Sequence, residues 1–201
     1  MPELPEVEIT ARLLDRALAG REIDSALAPG INALKTYDPP LSALEGHRIE
    51  GVRRRGKNLI VDVDGELALL IHLMSAGRLQ LFDKPAGPRD RTSRLLVRIQ
   101  PLPGEQERPE LRLREFGSKQ AAWVKLLAAD ALDQDEALAK LGPEAWPDPG
   151  TPAELRELLD APRPLHSLLR DQRTGLDIAT FRRDLVEIRP LGRGLQSGNR
   201  N

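Results

Sequence analysis

The chain has 201 residues, 40% of them apolar and 30% charged, with a formal net charge of -1. That size suffices for one sizeable core, or for a main domain with a smaller satellite, and the near-neutral balance directs any nucleic-acid argument to local basic clusters rather than total charge. The lack of cysteine excludes disulfides and cysteine metal sites, and neither the 3 histidines nor any apolar run suggests a structural metal or a membrane span.

The first helix is expected over residues 5–20, PEVEITARLLDRALAG. Val7, Leu13, Leu14 and Leu18 recur at roughly helical spacing, Pro5 suits a first turn, and Gly20 can end the helix. Glu6 then lies in or beside the first turn, where helix amides favour its anionic form. Short strands follow over 48–52, 58–63, 66–73 and 78–82, separated by charged or glycine turns. Asp64-Gly65 signals a hairpin. Residues 94–100 and 110–114 predict another strand pair, joined by the exposed loop PLPGEQERP. A two-sheet antiparallel core fits this order better than alternating strand and helix units.

From Lys119 onward the pattern turns helical. Residues 121–142 suggest two short helices, PAELRELLDA a third with Pro152 at its start, and PRPLHSLLRDQR a fourth. The tail over 176–201 is polar and glycine-rich, so partial disorder is expected. The expected organisation is a catalytic β-sandwich domain over 1–118, a partial helical domain over 119–175, and the tail. No basic-then-apolar leader opens the chain, so a soluble cytoplasmic protein is expected.

Several residues could carry chemistry. Without Met1 the chain would begin with the secondary amine of Pro2, which can attack a sugar carbon and form an iminium ion. Glu3 and Glu6 beside it could move the protons. Proline after methionine is also commonplace, and first-turn acids are ordinary. In RRRGKNLIV, Arg53, Arg54, Arg55 and Lys57 form either a solvated turn or a phosphate contact, with Gly56 permitting close approach. In HLMSAGRLQ, His72 reads first as a structural histidine and Met74 as core filling. At a loop tip beside Ser75, Met74 could instead wedge into a nucleic-acid stack. In LRLREFGSKQ, Arg114, Phe116 and Lys119 suit base stacking with phosphate contact, or a plain turn between domains.

Taken together these stretches resemble the formamidopyrimidine-DNA glycosylase and endonuclease VIII family of base-excision repair enzymes. MPELPEVE, GKNLIV, IHLMSAGRL, LREFGSK, LGPE and LLRDQR occur in the family's order, so the resemblance spans Met1 to about Arg173. It implies an α+β fold, with an N-terminal helix, a two-sheet antiparallel β-sandwich and a helix-two-turn-helix-like domain. It implies Pro2 as nucleophile, Glu3 as the group that protonates the opened sugar, and Glu6 as an orienting carboxylate. Lys57 would contact phosphate and support the chemistry. The regions of Met74, Arg114 and Phe116 correspond to inserted wedge and strand-gap residues. Arg55, His72, Ser75 and Lys119 complete the expected DNA-binding set.

The sequence departs from the family pattern in three places. Met74 follows Leu73 directly, and Ser75 takes the usual methionine position. DQRTGLDIATFRRDLVEIRP stands where a GIGN turn would follow. The family's four-cysteine finger has no counterpart. The expected partner is damaged or abasic DNA, bound by a monomer without metal or cofactor. The expected activity is bifunctional glycosylase and abasic-site lyase through a Pro2 Schiff base. The alternative is a catalytically weak or inactive relative that binds damaged or abasic DNA.

Overall fold

The computed structural model describes residues 2–30, 32–87, 90–117, 119–142, 144, 151–160, 164 and 167. Helix α1 spans Leu4–Leu18. Its start is fixed by the Glu6 carboxylate, which accepts the Glu3 backbone N–H at 2.9 Å and so satisfies one of the donors that a helix end leaves over. Gly20, at φ 81°, supplies the left-handed turn that lets the chain leave. The buried stripe is Leu4, Val7, Ala11, Leu14 and Leu18. Leu13, expected in that stripe, is 59% exposed. It stands about 100° around the helix from Leu14, and only one face of α1 meets the sheets.

Eight strands follow: β1 (Ile23–Leu27), β2 (Ile49–Arg55), β3 (Asn58–Val63), β4 (Leu67–His72), β5 (Gly77–Phe82), β6 (Ser93–Ile99), β7 (Glu110–Glu115) and β8 (Trp123–Ala128). They form two four-stranded sheets, ordered β1-β6-β7-β5 and β2-β3-β4-β8, with every pairing between them antiparallel. The expected α+β architecture is what the chain adopts. Asp64 (φ 45°) and Gly65 (φ 67°) make the β3–β4 turn in the left-handed region, as the hairpin signal requires.

The main core lies between the sheets. Leu59, Val61, Leu69, Ile71, Leu95, Val97, Leu111, Leu113, Val124 and Leu126 meet there, and Val7, Leu14 and Leu18 of α1 join them. A smaller apolar cluster covers the opposite face of the second sheet. Ile60, Ala68 and Leu70 pack there against Leu132 and Leu138.

Two strands were not expected. β1 had no sequence signal of its own. Residues 123–128, read as helical, instead form β8, paired with β4 from Leu67↔Ala128 to His72↔Trp123. The local composition favours helix, but a period of two wins because both faces are occupied. Val124 and Leu126 enter the main core, while Trp123 and Leu127 pack with the smaller cluster. The outer edge of β8 is also covered. Leu34 bridges to Val124, and Thr36 Oγ1 both accepts the Leu126 N–H at 2.8 Å and donates to its carbonyl at 3.0 Å. The second sheet therefore continues past residue 118. Of the two helices expected over 121–142, only a 3-10 turn at Ala129–Gln134 and the short α2 (Glu136–Ala139) form.

The third expected helix is present as α3 (Pro152–Leu159). The fourth, apart from Pro164 and Ser167, and all of 176–201 lie outside the described residues. Among the described residues no helix is long and apolar enough to cross a membrane.

Leu69 is 2% exposed between the sheets, whereas Leu13 is 59% exposed. Leu69→Ala should destabilise the fold by about 2–5 kcal/mol, and Leu13→Ala by no more than about 0.5 kcal/mol. Urea unfolding of both variants checks this contrast.

Candidate active site

Strand register gathers the flagged segments at one end of the sandwich. Asn58, the first residue of β3, pairs with His72, the last of β4. His72 also pairs with Trp123, the first residue of β8. In the other sheet Gly77, the first residue of β5, pairs with Glu115, the last of β7. The Gly56–Lys57 turn, the loop after His72 and the connector after Glu115 therefore open on the same end. The start of α1 is tied there as well, because Lys57 Nζ donates to Glu3 Oε2 at 2.7 Å.

That ion pair is the chemical centre of the arrangement. Lys57 is 6% exposed, Glu3 is half-buried, and Pro2 beside it is buried. Glu6 lies exposed one helical step on, with its carboxylate on the Glu3 N–H. Sequence neighbours of Pro2 thus carry two carboxylates, and one of them is held against an ammonium. A buried ammonium next to a carboxylate can hold or move a proton where water is scarce.

The turn that carries Lys57 is anchored by a residue that sequence reading did not single out. Gly56, at φ 55°, opens this two-residue turn between Arg55 and Asn58. Glu144 grips it from 88 residues away. Its carboxylate accepts the Gly56 N–H at 2.6 Å, Arg54 Nη1 at 2.6 Å and Arg55 Nη1 at 3.0 Å. Arg55 also donates to the Gly142 carbonyl at 2.7 Å, so its guanidinium, expected on DNA, is directed at this linker. Arg54 bonds Glu8 of α1 at 2.6 Å as well. Burial opposes charge on Glu144, but the Gly56 amide and the Arg54 and Arg55 guanidiniums outweigh it. Its carboxyl is held below the usual range. Within LGPE, the only available hint was an acid in a proline–glycine segment with no local partner.

The loop after β4 is tightly folded. Met74 adopts φ 51°, and its N–H donates to His72 Nδ1 at 3.0 Å, which leaves Nε2 to carry the proton in neutral His72. His72 stacks on Trp123 with centroids 5.5 Å apart and planes 13° from parallel. Burial, and then the charge of Lys57, lower its pKa. His72 is thereby the latch of the Met74 loop. Gly77 closes that loop through its N–H to the Leu73 carbonyl at 2.9 Å. A Cβ at Gly77 would meet that oxygen at 2.4 Å, so only glycine fits. Met74 is half-buried and Ser75 is exposed.

On the neighbouring connector Phe116 is 52% exposed, with the Arg114 guanidinium 4.7 Å from its ring centroid. Arg114 also donates to Thr92 Oγ1 at 3.0 Å. Lys119 is exposed farther along the connector. The end of the sandwich thus offers a half-buried methionine, an exposed aromatic ring backed by a cation, and a buried lysine–carboxylate pair. Among the described residues no group of His, Cys, Asp and Glu could hold a metal ion. The 201 residues contain no cysteine, so they do not fit the four-cysteine finger that the resemblance implies.

Residues 1–118 match the family profile of the formamidopyrimidine-DNA glycosylase N-terminal domain. A formamidopyrimidine-DNA glycosylase from Cereibacter sphaeroides is 31% identical over 186 residues, covering 86% of this chain and 62% of its own length. One from Chloroflexus aurantiacus is 35% identical over 175 residues, covering 86% of this chain and 59% of its own length. The chain thus spans about three fifths of these relatives. The crystal structure of wild-type Lactococcus lactis Fpg (MutM) in complex with DNA containing N7-benzyl-Fapy-dG superposes with a TM-score of 0.70 at 25% identity. It covers 86% of this chain and 61% of that one.

The Glu144 anchor makes a testable demand on the Lys57 turn. Glu144→Ala leaves the Gly56 N–H and two guanidiniums short of a partner and should cost about 1–3 kcal/mol. Because the folded carboxyl titrates below its unfolded value of about 4.3, the contribution is fully present above that value. It is lost as pH falls through the lower folded value. Urea unfolding of parent and variant at pH 7 and at pH 3 should show the difference shrink in acid.

Proposed function

The chain belongs to the formamidopyrimidine-DNA glycosylase family, and on that premise we propose that it binds damaged or abasic DNA at the end of the sandwich formed by the Lys57 turn, the Met74 loop and the Phe116 connector. The observation that supports this reading is that these segments leave strand ends at one end of the sandwich, where they contribute a cation, a long apolar side chain and a cation-backed aromatic ring. Phosphate contact by Lys57, Arg114 and Lys119 would position the duplex. Met74 or Phe116 would fill the space left by an unstacked nucleotide, with Ser75 and His72 at its edge. Arg55 would act through the turn it shapes. Family membership supports a base-excision repair role.

This reading asks less of the 201 residues than full excision does. A duplex must be bent and a base drawn out of the stack, at a cost of a few kcal/mol that further contacts must offset. The family's cysteine finger is not among the contacts these residues supply. Abasic DNA needs least, because no base has to be extracted. Measured against salt, affinity for an abasic duplex should follow a slope that falls by about one in Lys57→Ala. An unchanged slope and affinity would assign Lys57 to structure alone.

The second reading, bifunctional glycosylase and lyase, is favoured by the Glu3–Lys57 pair beside Pro2. The free amine of Pro2 would attack C1′ and give up its proton to the Glu3 carboxylate, Glu3 would pass that proton to the ring oxygen as the sugar opens, and Lys57 would hold the carboxylate and a phosphate. Expulsion of the base would leave a Schiff base, and elimination at the 3′ and then the 5′ phosphate would nick the strand. Borohydride should trap a covalent adduct on an abasic duplex, and blocking the N-terminal amine should abolish it. Mass spectrometry confirms that Met1 has been removed from the sample. Absence of an adduct from protein with a verified free Pro2 leaves the binding reading alone.

A further inference from the structure

Phe116 reaches solvent from a connector whose two ends close over a carboxylate withdrawn from water. Glu115 is 1% exposed. It accepts the Ala121 N–H at 2.9 Å and the Ala122 N–H at 3.0 Å. Arg94, also buried, brings its Nε to 3.7 Å from the same carboxylate and donates from Nη1 to Gln120 Oε1 at 2.9 Å. The backbone at Gly30 lies against this guanidinium so closely that a Cβ there would come within 2.5 Å of Nη1. Arg94 Nε itself makes no hydrogen bond.

A charged pair is an expensive way to fill an interior site, because desolvation opposes it and an apolar pair would pack as well. What an apolar residue cannot do is accept two converging backbone N–H groups, one of them on the fully buried Ala122. Glu115 does so while Arg114, its neighbour in β7, points the other way, since side chains alternate across a strand, and the exposed Phe116 ring, just past the strand end, lies against the Arg114 guanidinium. Fixing the carboxylate inward therefore fixes the ring and guanidinium outward.

We propose that Glu115, with Arg94 as its counter-charge, is a positioning residue that holds the Phe116 connector ready to meet DNA. The proposal rests on the DNA-binding reading for its purpose, but the geometry can be tested without DNA. The chain has 3 phenylalanines, so fluorophenylalanine labelling gives a readable 19F spectrum in which Phe116→Leu identifies one resonance. In Glu115→Ala the Phe116 resonance should move toward its denatured position while that of Phe82 stays. In Glu115→Gln, which keeps one acceptor, it should move part of the way. A Phe116 resonance unmoved in both variants overturns the proposal. Should Glu115→Ala fail to fold, Glu115→Gln decides alone. With an abasic duplex, loss of preorganisation in the displaced variant should weaken binding about tenfold. A displaced ring with unchanged affinity also overturns the proposal. Failure of the parent to bind that duplex would sink the functional reading, leaving the 19F comparison to judge Glu115.

Discussion

Everything at the candidate site follows from where strands begin and end against one another. Asn58 faces His72, His72 faces Trp123, and Gly77 faces Glu115. A slip of one residue in any of these pairings would send the side chains that fill one core to the opposite face of their sheet. The cores on both faces of the second sheet resist such a slip, since β3 carries Leu59 and Val61 to one side and Ile60 to the other. Burial thus fixes register, and register fixes which loops are neighbours. The loops can then be polar, strained and exposed without losing their mutual geometry.

Within that frame, the lysine–carboxylate contact is the point where helix and sheet become one site. Lys57 is on a turn and Glu3 is at a helix start, and neither element would place the other alone. Each partner has a separate support. Glu6 holds the Glu3 backbone, while Glu144 holds Gly56 beside Lys57. The contact therefore does not depend on the freedom of a long side chain in water, which makes exposed ion pairs worth so little.

Much of this was legible in the sequence where local signal and tertiary demand agree. β3 falls on residues 58–63 as expected, because an apolar run bounded by two turn signals has few alternatives. Leu13 was misplaced because apolar identity alone does not say which face of α1 is covered. β8 was read as helix because leucine, lysine and alanine favour helix locally; pairing along the whole of β4 overrides that preference. The lysine and the flanking loops were visible through the family resemblance. Glu144, Glu115 and Arg94 were not, since their partners are brought near by folding and a lone charged residue gives no sign of what it will grip.

The grip of Glu144 has a mechanical consequence. It stands where the chain leaves the sandwich and heads toward α3, and it is fastened to Arg54, Arg55 and the Gly56 amide. Arg54 carries the connection on to Glu8 of α1. Tension applied to the chain beyond Glu144 would be delivered first to the lysine-bearing turn and then to the helix whose first turn holds Glu3 and Glu6. The fastening works as a load path, so a pull on the downstream segment would register at the Glu3–Lys57 contact before it strained the sheets.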